Sequence, residues 1–169
     1  MVAKLLRLAA DTNVLVDIED GVEDVLDALE VVRHRLPNAD WLVTPSVLDE
    51  LAALCDADET ERLRRSARRA LLSLRSRRQF RPVLDLPSGE DLAERIANAS
   101  RRRGLLPVEE VHDALILAES ALLDCSILLT SDEHLRAIDH EQATLLLHGY
   151  SLIAPVIATP REIVHKFFH

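Results

Sequence analysis

The sequence predicts an α/β fold: a mainly parallel sheet with helices on both faces, in three layers. Three observations carry this. Short apolar runs alternate with longer segments of helical period along the chain, the pattern of a parallel sheet crossed by helices. The apolar runs stop abruptly in polar residues suited to turns and helix starts, as at Asp11-Thr12-Asn13, Pro45-Ser46 and Ser131-Asp132. A chain of 169 residues, 48% hydrophobic and 29% charged, suits one domain. At that length it buries roughly 70% of its unfolded surface without disulfides or structural metals.

The first strand is read at Leu5–Ala10, within the stretch Lys4–Ile18, and ends at Asp11. Arg7 interrupts it, so the strand either begins later than Lys4 or lets the long arginine stem reach the end of the sheet. Apolar residues at 22, 25, 26, 29 and 32 have a helical period, with Asp20-Gly21 as the start signal. Trp41–Thr44 is a short strand of β formers leading into a helix that Ser46 caps, with Val47, Leu48, Leu51 and Leu54 on its apolar side and Glu50 one turn in. After a polar break at Asp56–Thr60 comes a long helix with Leu63, Ala67, Ala70, Leu71 and Leu74 on one face. Arg81–Pro87 reads as a short strand bounded by prolines, and about Gly89–Arg102 as a helix ended by Gly104. Pro107 opens another helix, with Val108, Val111, Ala114, Leu115, Ala118 and Leu122 as its core stripe. Ile127–Thr130 is a buried strand, a helix starts at Glu133, and Ile153–Ile157, which contains Pro155, fits an edge strand. Thr159 caps a closing helix that has Pro160 in its first position.

Composition narrows the setting. Cys55 and Cys125, each in an apolar helical pattern, read as buried free thiols and point to a reducing, cytoplasmic environment. No stretch approaches the roughly 20 apolar residues of a membrane span, and the N-terminal apolar run is too short for a signal peptide, so a soluble, non-exported protein is expected. The net charge of −9 argues against general nucleic-acid binding, but its distribution does not. Residues 62–81 hold nine arginines and no acid, leaving 11 basic and 29 acidic residues elsewhere. An arginine-rich segment on an acidic body is a local binding surface. Aromatics are only 3% of the chain, so base stacking is not a main mode of recognition.

Four carboxylates share a positional logic. Asp11 and Asp132 follow strands, and in parallel neighbours both emerge at one edge, where open α/β sheets hold their ligands. Glu50 leans over that edge from the helix after the second strand, and Asp113 lies about two turns into the helix before the Ile127–Thr130 strand. Asp113 is the least evident, since it flanks the apolar stripe where a solvated acid is the default. Carboxylates gathered together repel and stay ionised only beside a cation. With oxygen donors and no Cys–His set, that cation is hard, Mg²⁺ or Mn²⁺, an ion of phosphoryl chemistry.

The motifs Asp11-Thr12-Asn13-Val14-Leu15, Ser46 with Glu50-Leu51, His112-Asp113-Ala114-Leu115-Ile116-Leu117-Ala118 and Leu129-Thr130-Ser131-Asp132 resemble, in order, the four motifs of PIN domains. The ending Ile157-Ala158-Thr159-Pro160-Arg161-Glu162 resembles that family's last strand-to-helix turn, so the resemblance spans nearly the whole chain. It implies about five parallel strands with helices on both faces, and metal-dependent cleavage of RNA, in many members as a VapC-type toxin paired with an antitoxin. Carried over by position, Asp11, Glu50, Asp113 and Asp132 are the metal-binding and catalytic acids, with Asn13 and Thr130 as polar support. Residues 1–169 are then one PIN-like domain with a helical, Arg-rich elaboration at about 56–105. His112 departs from the small polar residue usual at its position and reads as a neighbour of the site.

Other acids have plainer readings. Glu110, one turn before Asp113, could assist but reads first as a flanking surface acid; Asp49 points about 100° away from Glu50 around the helix; and Asp17 could face the site from the first helical turn, though helix-start stabilisation suffices to explain it. Arg62, Arg65, Arg68 and Arg69 either guide RNA phosphates toward the acids, form a solvated face, or dock an acidic partner segment. The resemblance also implies a homodimer. Expected activity is hydrolysis of RNA by activated water, leaving a 5′-phosphate and a 3′-hydroxyl. The alternative is a PIN-like binding or scaffold domain in an RNA-processing or antitoxin assembly, distinguished by binding without metal-dependent turnover. A phosphoaspartate phosphatase is disfavoured because Asn13 stands where a second aspartate is usual.

Overall fold

The computed structural model describes residues 5–56, 58–76 and 79–168; Lys4, and Arg77 and Arg78 of the arginine-rich segment, lie outside them. The chain runs β1 (Arg7–Ala10), α1 (Thr12–Asp20), α2 (Glu23–Arg35), β2 (Asp40–Val43), α3 (Pro45–Asp56), α4 (Glu61–Arg75) and β3 (Arg81–Pro82). It continues with α5 (Glu90–Arg102), α6 (Val111–Leu122), β4 (Ile127–Leu129), α7 (Glu133–Arg136), α8 (His140–His148), β5 (Val156–Ala158) and α9 (Pro160–Phe167). The five strands form one parallel sheet in the order β3-β2-β1-β4-β5, the centre of a three-layer α/β/α fold.

β1 is the central strand. Its Leu8 pairs with Trp41 of β2 on one side and Ile127 of β4 on the other, and Leu8, Ala9 and Ala10 are fully buried. Both faces of these strands are covered by helices, which is why, past Arg7 and Asp40 at the first positions of β1 and β2, they read as apolar runs rather than alternating ones. The Arg7 conflict resolves because the strand begins at Arg7 itself. Its guanidinium reaches past the sheet's end to donate to the Leu123 carbonyl at 2.9 Å and lies 3.9 Å from Asp40.

Helix ends follow local chemistry. Gly21 closes α1 in the left-handed conformation (φ 72°), so Asp20-Gly21 is a stop for α1 rather than the start of α2. Thr159 and Glu162 form a reciprocal capping box on α9, with Pro160 in the first turn as expected.

Other elements differ from the sequence reading. Ser46 is not a cap; it lies inside α3, which starts at Pro45. The strand read at Arg81–Pro87 shrinks to two residues, because Pro82 lacks an N–H to extend the ladder and only the Val83 N–H, at 2.9 Å from the Val43 carbonyl, continues it. α6 begins at Val111, not Pro107: the Glu110 N–H turns back to the Pro107 carbonyl at 3.1 Å. Val108 and Val111 are therefore 71% and 44% exposed, and the buried part of the helix runs from Ala114 through Ala121 against α3 and α5. α8, unforeseen, packs against α5.

Cys55 and Cys125 are free thiols; Cys55 is half-buried, and Cys125, though buried, lies in the turn after α6 rather than in a helix. Among the described residues no helix is long and apolar enough to cross a membrane.

Candidate metal centre

The carboxyl ends of β1 and β4 open into a cleft of about 290 Å³ lined by Asp11, Thr12, Asn13, Val16, Asp17, Glu50, Leu54, Leu63, Asp113 and Asp132. All four acids of the sequence reading meet there, from four separated parts of the chain. Asp11 and Asp132 follow β1 and β4, Glu50 comes from α3 and Asp113 from the first turn of α6.

Asp11 is 3% exposed and fixed at both oxygens. As the cap of α1 it accepts the Thr12 N–H on Oδ1 at 2.7 Å, and its Oδ2 accepts the Thr130 hydroxyl at 2.7 Å. Its own N–H bonds to the Leu129 carbonyl at 2.9 Å, carrying the ladder one residue past the end of β1. Asp132 caps α7, with Oδ1 accepting the Leu135 N–H at 3.0 Å. A capping role leaves room for a site role in both aspartates, because the cap engages lone pairs on one side of the carboxylate only.

Thr130 and Asn13 link these two acids. The Thr130 Oγ1 donates to Asp11 and accepts the Asp132 N–H at 2.9 Å, and Asn13 Nδ2 makes a long 3.5 Å contact with it. The Asn13 Oδ1 accepts the Ser131 N–H at 3.2 Å. Glu50 accepts a hydrogen bond from the Thr12 hydroxyl.

Crowding shows in the acid strengths. Asp113 is pushed up to about 8, by burial first and then by the charges of Asp132, Asp11, Glu110 and Glu50. Asp11 is raised to about 6 by burial, with Glu50 and Asp132 adding to it and the bonds from Thr130 and Thr12 opposing it. These acids are short of positive charge, and a hard divalent cation would supply it. The donor set, carboxylate oxygens with a neighbouring hydroxyl and amide, suits Mg²⁺ or Mn²⁺. The carboxylates surround the cleft without closing on one point: among the described residues, no three His, Cys, Asp or Glu side chains form a ready cage for an ion. Like-charge repulsion and the Thr12 bond to Glu50 are physical reasons for that openness.

The remaining candidates separate clearly. Asp49 and His112 are exposed. Glu110 does not line the cleft and lies 3.4 Å from His134. Arg62, Arg65, Arg68 and Arg69 are exposed on α4, whose Leu63 forms part of the cleft wall. Arg62 pairs with Asp20 at 2.9 Å, Arg65 lies 3.8 Å from Glu61, and Arg68 donates to the Cys55 carbonyl at 3.3 Å.

Two carboxylates carry more than the sequence reading assigned them. Asp17 lines the cleft from the sixth position of α1, too far in to stabilise the helix start; its i+4 spacing from Asn13 was the available signal. Glu119 of α6 is 5% exposed and accepts both the Ser46 N–H and the Ser46 hydroxyl. Its apolar helical surroundings gave no hint of a polar partner so far away in the chain.

The sequence matches the family model of the PIN domain over residues 9–141. No curated protein matches the chain. Among solved structures it is similar to that of VapBC2 from Rickettsia felis bound to a DNA fragment from their promoter, with a TM-score of 0.54 and 15% identity over 79% of this chain and 93% of that one. This is a likeness of fold.

Proposed function

Because the chain belongs to the PIN domain family, whose members are generally nucleases, we propose that it is a metal-dependent endoribonuclease, the toxin of a toxin–antitoxin pair. The observation that carries this reading is the meeting of Asp11, Glu50, Asp113 and Asp132 in one cleft at the carboxyl ends of the central strands. The toxin reading draws support from the VapBC2 likeness, which suggests a cognate antitoxin; a homodimer, from the family resemblance, and a cytoplasmic location, from the two free cysteines, are proposed with it. Residues 1–169 form one PIN-like domain in this reading, with 56–105 as its helical, Arg-rich elaboration.

Asp11, Glu50, Asp113 and Asp132 would hold Mg²⁺ or Mn²⁺, which supplies charge neutralisation of the phosphodiester and activation of water. Asp11, immobilised by Thr12 and Thr130, is the fixed point of the set. Thr130 keeps Asp132 in register with it through the Asp132 N–H, and Asn13 braces the Ser131 backbone between them. Asp11 and Asp113 give up their protons as positive charge enters the cleft, so binding strengthens as pH rises. In the reaction the water oxygen bonds to phosphorus, the P–O3′ bond breaks, and the 3′-oxygen takes a proton, leaving a 5′-phosphate and a 3′-hydroxyl. Arg62, Arg65, Arg68 and Arg69 are exposed on α4, the helix whose Leu63 lines the cleft, and suit an RNA strand's phosphates.

The test is cleavage of RNA by the purified chain with Mg²⁺ or Mn²⁺. Activity lost in EDTA and in Asp11→Asn supports the proposal; an Asp11→Asn protein as fast as the parent overturns it. The open arrangement of the carboxylates favours one second reading, a binding domain without turnover. Protein that binds RNA or an antitoxin tightly yet cleaves nothing with either metal would establish it.

A further inference from the structure

Six residues beyond Asp113, α6 carries a carboxylate that the proposed chemistry leaves unused. Glu119 is 5% exposed, and among the described residues no Lys, Arg or His forms an ion pair with it. Its Oε2 accepts the Ser46 N–H at 3.0 Å and its Oε1 accepts the Ser46 hydroxyl at 2.7 Å. Ser46 lies in the first turn of α3, so the carboxylate meets the positive end of that helix. Burial still pushes Glu119 above the usual carboxylate range against these bonds. A buried acid is a costly way to fasten two helices that apolar side chains alone could pack.

The location of the bond explains its use. α3 carries Glu50 one turn after Ser46, and α6 carries Asp113. The Glu119–Ser46 bond therefore joins the two helices that deliver Glu50 and Asp113 to the cleft. Like charge between those acids drives the helices apart, and the bond is directional where apolar packing is not. We propose that Glu119 is a positioning residue: through Ser46 it clamps α3 to α6, sets the separation of Glu50 and Asp113, and so tunes the affinity of the cleft for a divalent cation. The inference rests on the metal-centre reading above.

The test is Mn²⁺ titration of the intact chain, with free Mn²⁺ read by electron paramagnetic resonance, on the parent, Glu119→Ala, Glu119→Gln and Ser46→Ala. Partners bonded directly to a metal ligand typically change metal affinity about 10- to 100-fold. Glu119 acts one step further out, through the two helices, so Glu119→Ala is expected to raise the Mn²⁺ Kd by about tenfold, the low end of that range. Glu119→Gln, which can accept the Ser46 N–H and donate to its hydroxyl, should stay within about threefold of the parent on the same scale. If Glu119→Ala does not fold, Ser46→Ala serves: it keeps the main-chain bond, loses the hydroxyl bond, and should weaken Mn²⁺ binding several-fold. A folded Glu119→Ala protein, or Ser46→Ala in its place, with parental Mn²⁺ affinity but a lowered Tm would show a purely structural bond and overturn the proposal. A parent that takes up no Mn²⁺ would overturn the metal-centre reading itself, and Glu119's role with it.

Discussion

Replacing Asp11 with Asn should stabilise the cation-free protein at neutral pH while abolishing its proposed activity. Asp11 has a folded-state pKa of about 6 against an ordinary 3.8. The folded state thus holds the Asp11 proton more tightly than the unfolded chain does. Its contribution to stability is complete below about pH 4 and declines as pH rises to about 6. At about 1.4 kcal/mol per pH unit, the loss is about 3 kcal/mol. The asparagine side chain cannot ionise and escapes this loss. It does weaken the bond with Thr130, whose Oγ1 already accepts from Asp132, at a cost of about 1 kcal/mol. Asp11→Asn should therefore be about 1 kcal/mol less stable than the parent near pH 4 and about 2 kcal/mol more stable at pH 7 in EDTA. For a chain of this size that is a Tm gain of about 4–8 °C at neutral pH. Melting curves of both proteins in EDTA from pH 4 to 8 give the result directly. A variant that melts below the parent across that whole range would refute the account of Asp11 as a buried, cation-seeking acid.

Further outcomes follow from the same geometry. Thr130→Val removes the donor to Asp11 and the acceptor of the Asp132 N–H, so it should cost about 1–3 kcal/mol in denaturant unfolding. The same change should move the pH midpoint for Mn²⁺ uptake upward, since the Thr130 bond lowers the Asp11 pKa. Mn²⁺ binding at pH 7 should release protons, because Asp113 sits at about 8, and the release should shrink toward pH 9. Calorimetry in buffers of different ionisation enthalpy measures this, and no release at pH 7 would contradict the crowded-acid picture. Arg65→Glu with Arg69→Glu should weaken binding of a non-cleaved RNA and lower its salt slope by about 0.7 for each phosphate that α4 no longer neutralises. An unchanged slope would remove α4 from the RNA path.

What could be read from the sequence was local or repeated. The β1 and β4 runs are short and, past Arg7, wholly apolar because both their faces are covered, so they and the aspartates that cap the following helices stood out. Glu50 followed from its place in the helix after β2. Asp113 did not follow from periodicity, because α6 was read from Pro107 and its stripe was phased on Val108 and Val111, which face solvent. The bend at Pro107–Glu110 puts Asp113 in the first turn of α6, pointing into the cleft, where resemblance rather than pattern had assigned it. For Asp17 a helix-start role and a place facing the site both fit the sequence, and position alone does not separate them. Glu119 depends on Ser46, a partner distant in sequence, and no window along one helix contains that information.

Cleavage of total RNA by the parent chain, mapped with Mg²⁺, with Mn²⁺ and with EDTA and with the new ends chemically identified, tests the central claim most directly. The account predicts discrete cuts only when metal is present, bearing 5′-phosphates and 3′-hydroxyls, and none from Asp11→Asn. Cuts that persist in EDTA would contradict it because they need no metal, and ends carrying a 2′,3′-cyclic phosphate would contradict it because they require attack by the ribose hydroxyl rather than by water activated in the Asp11–Glu50–Asp113–Asp132 cleft.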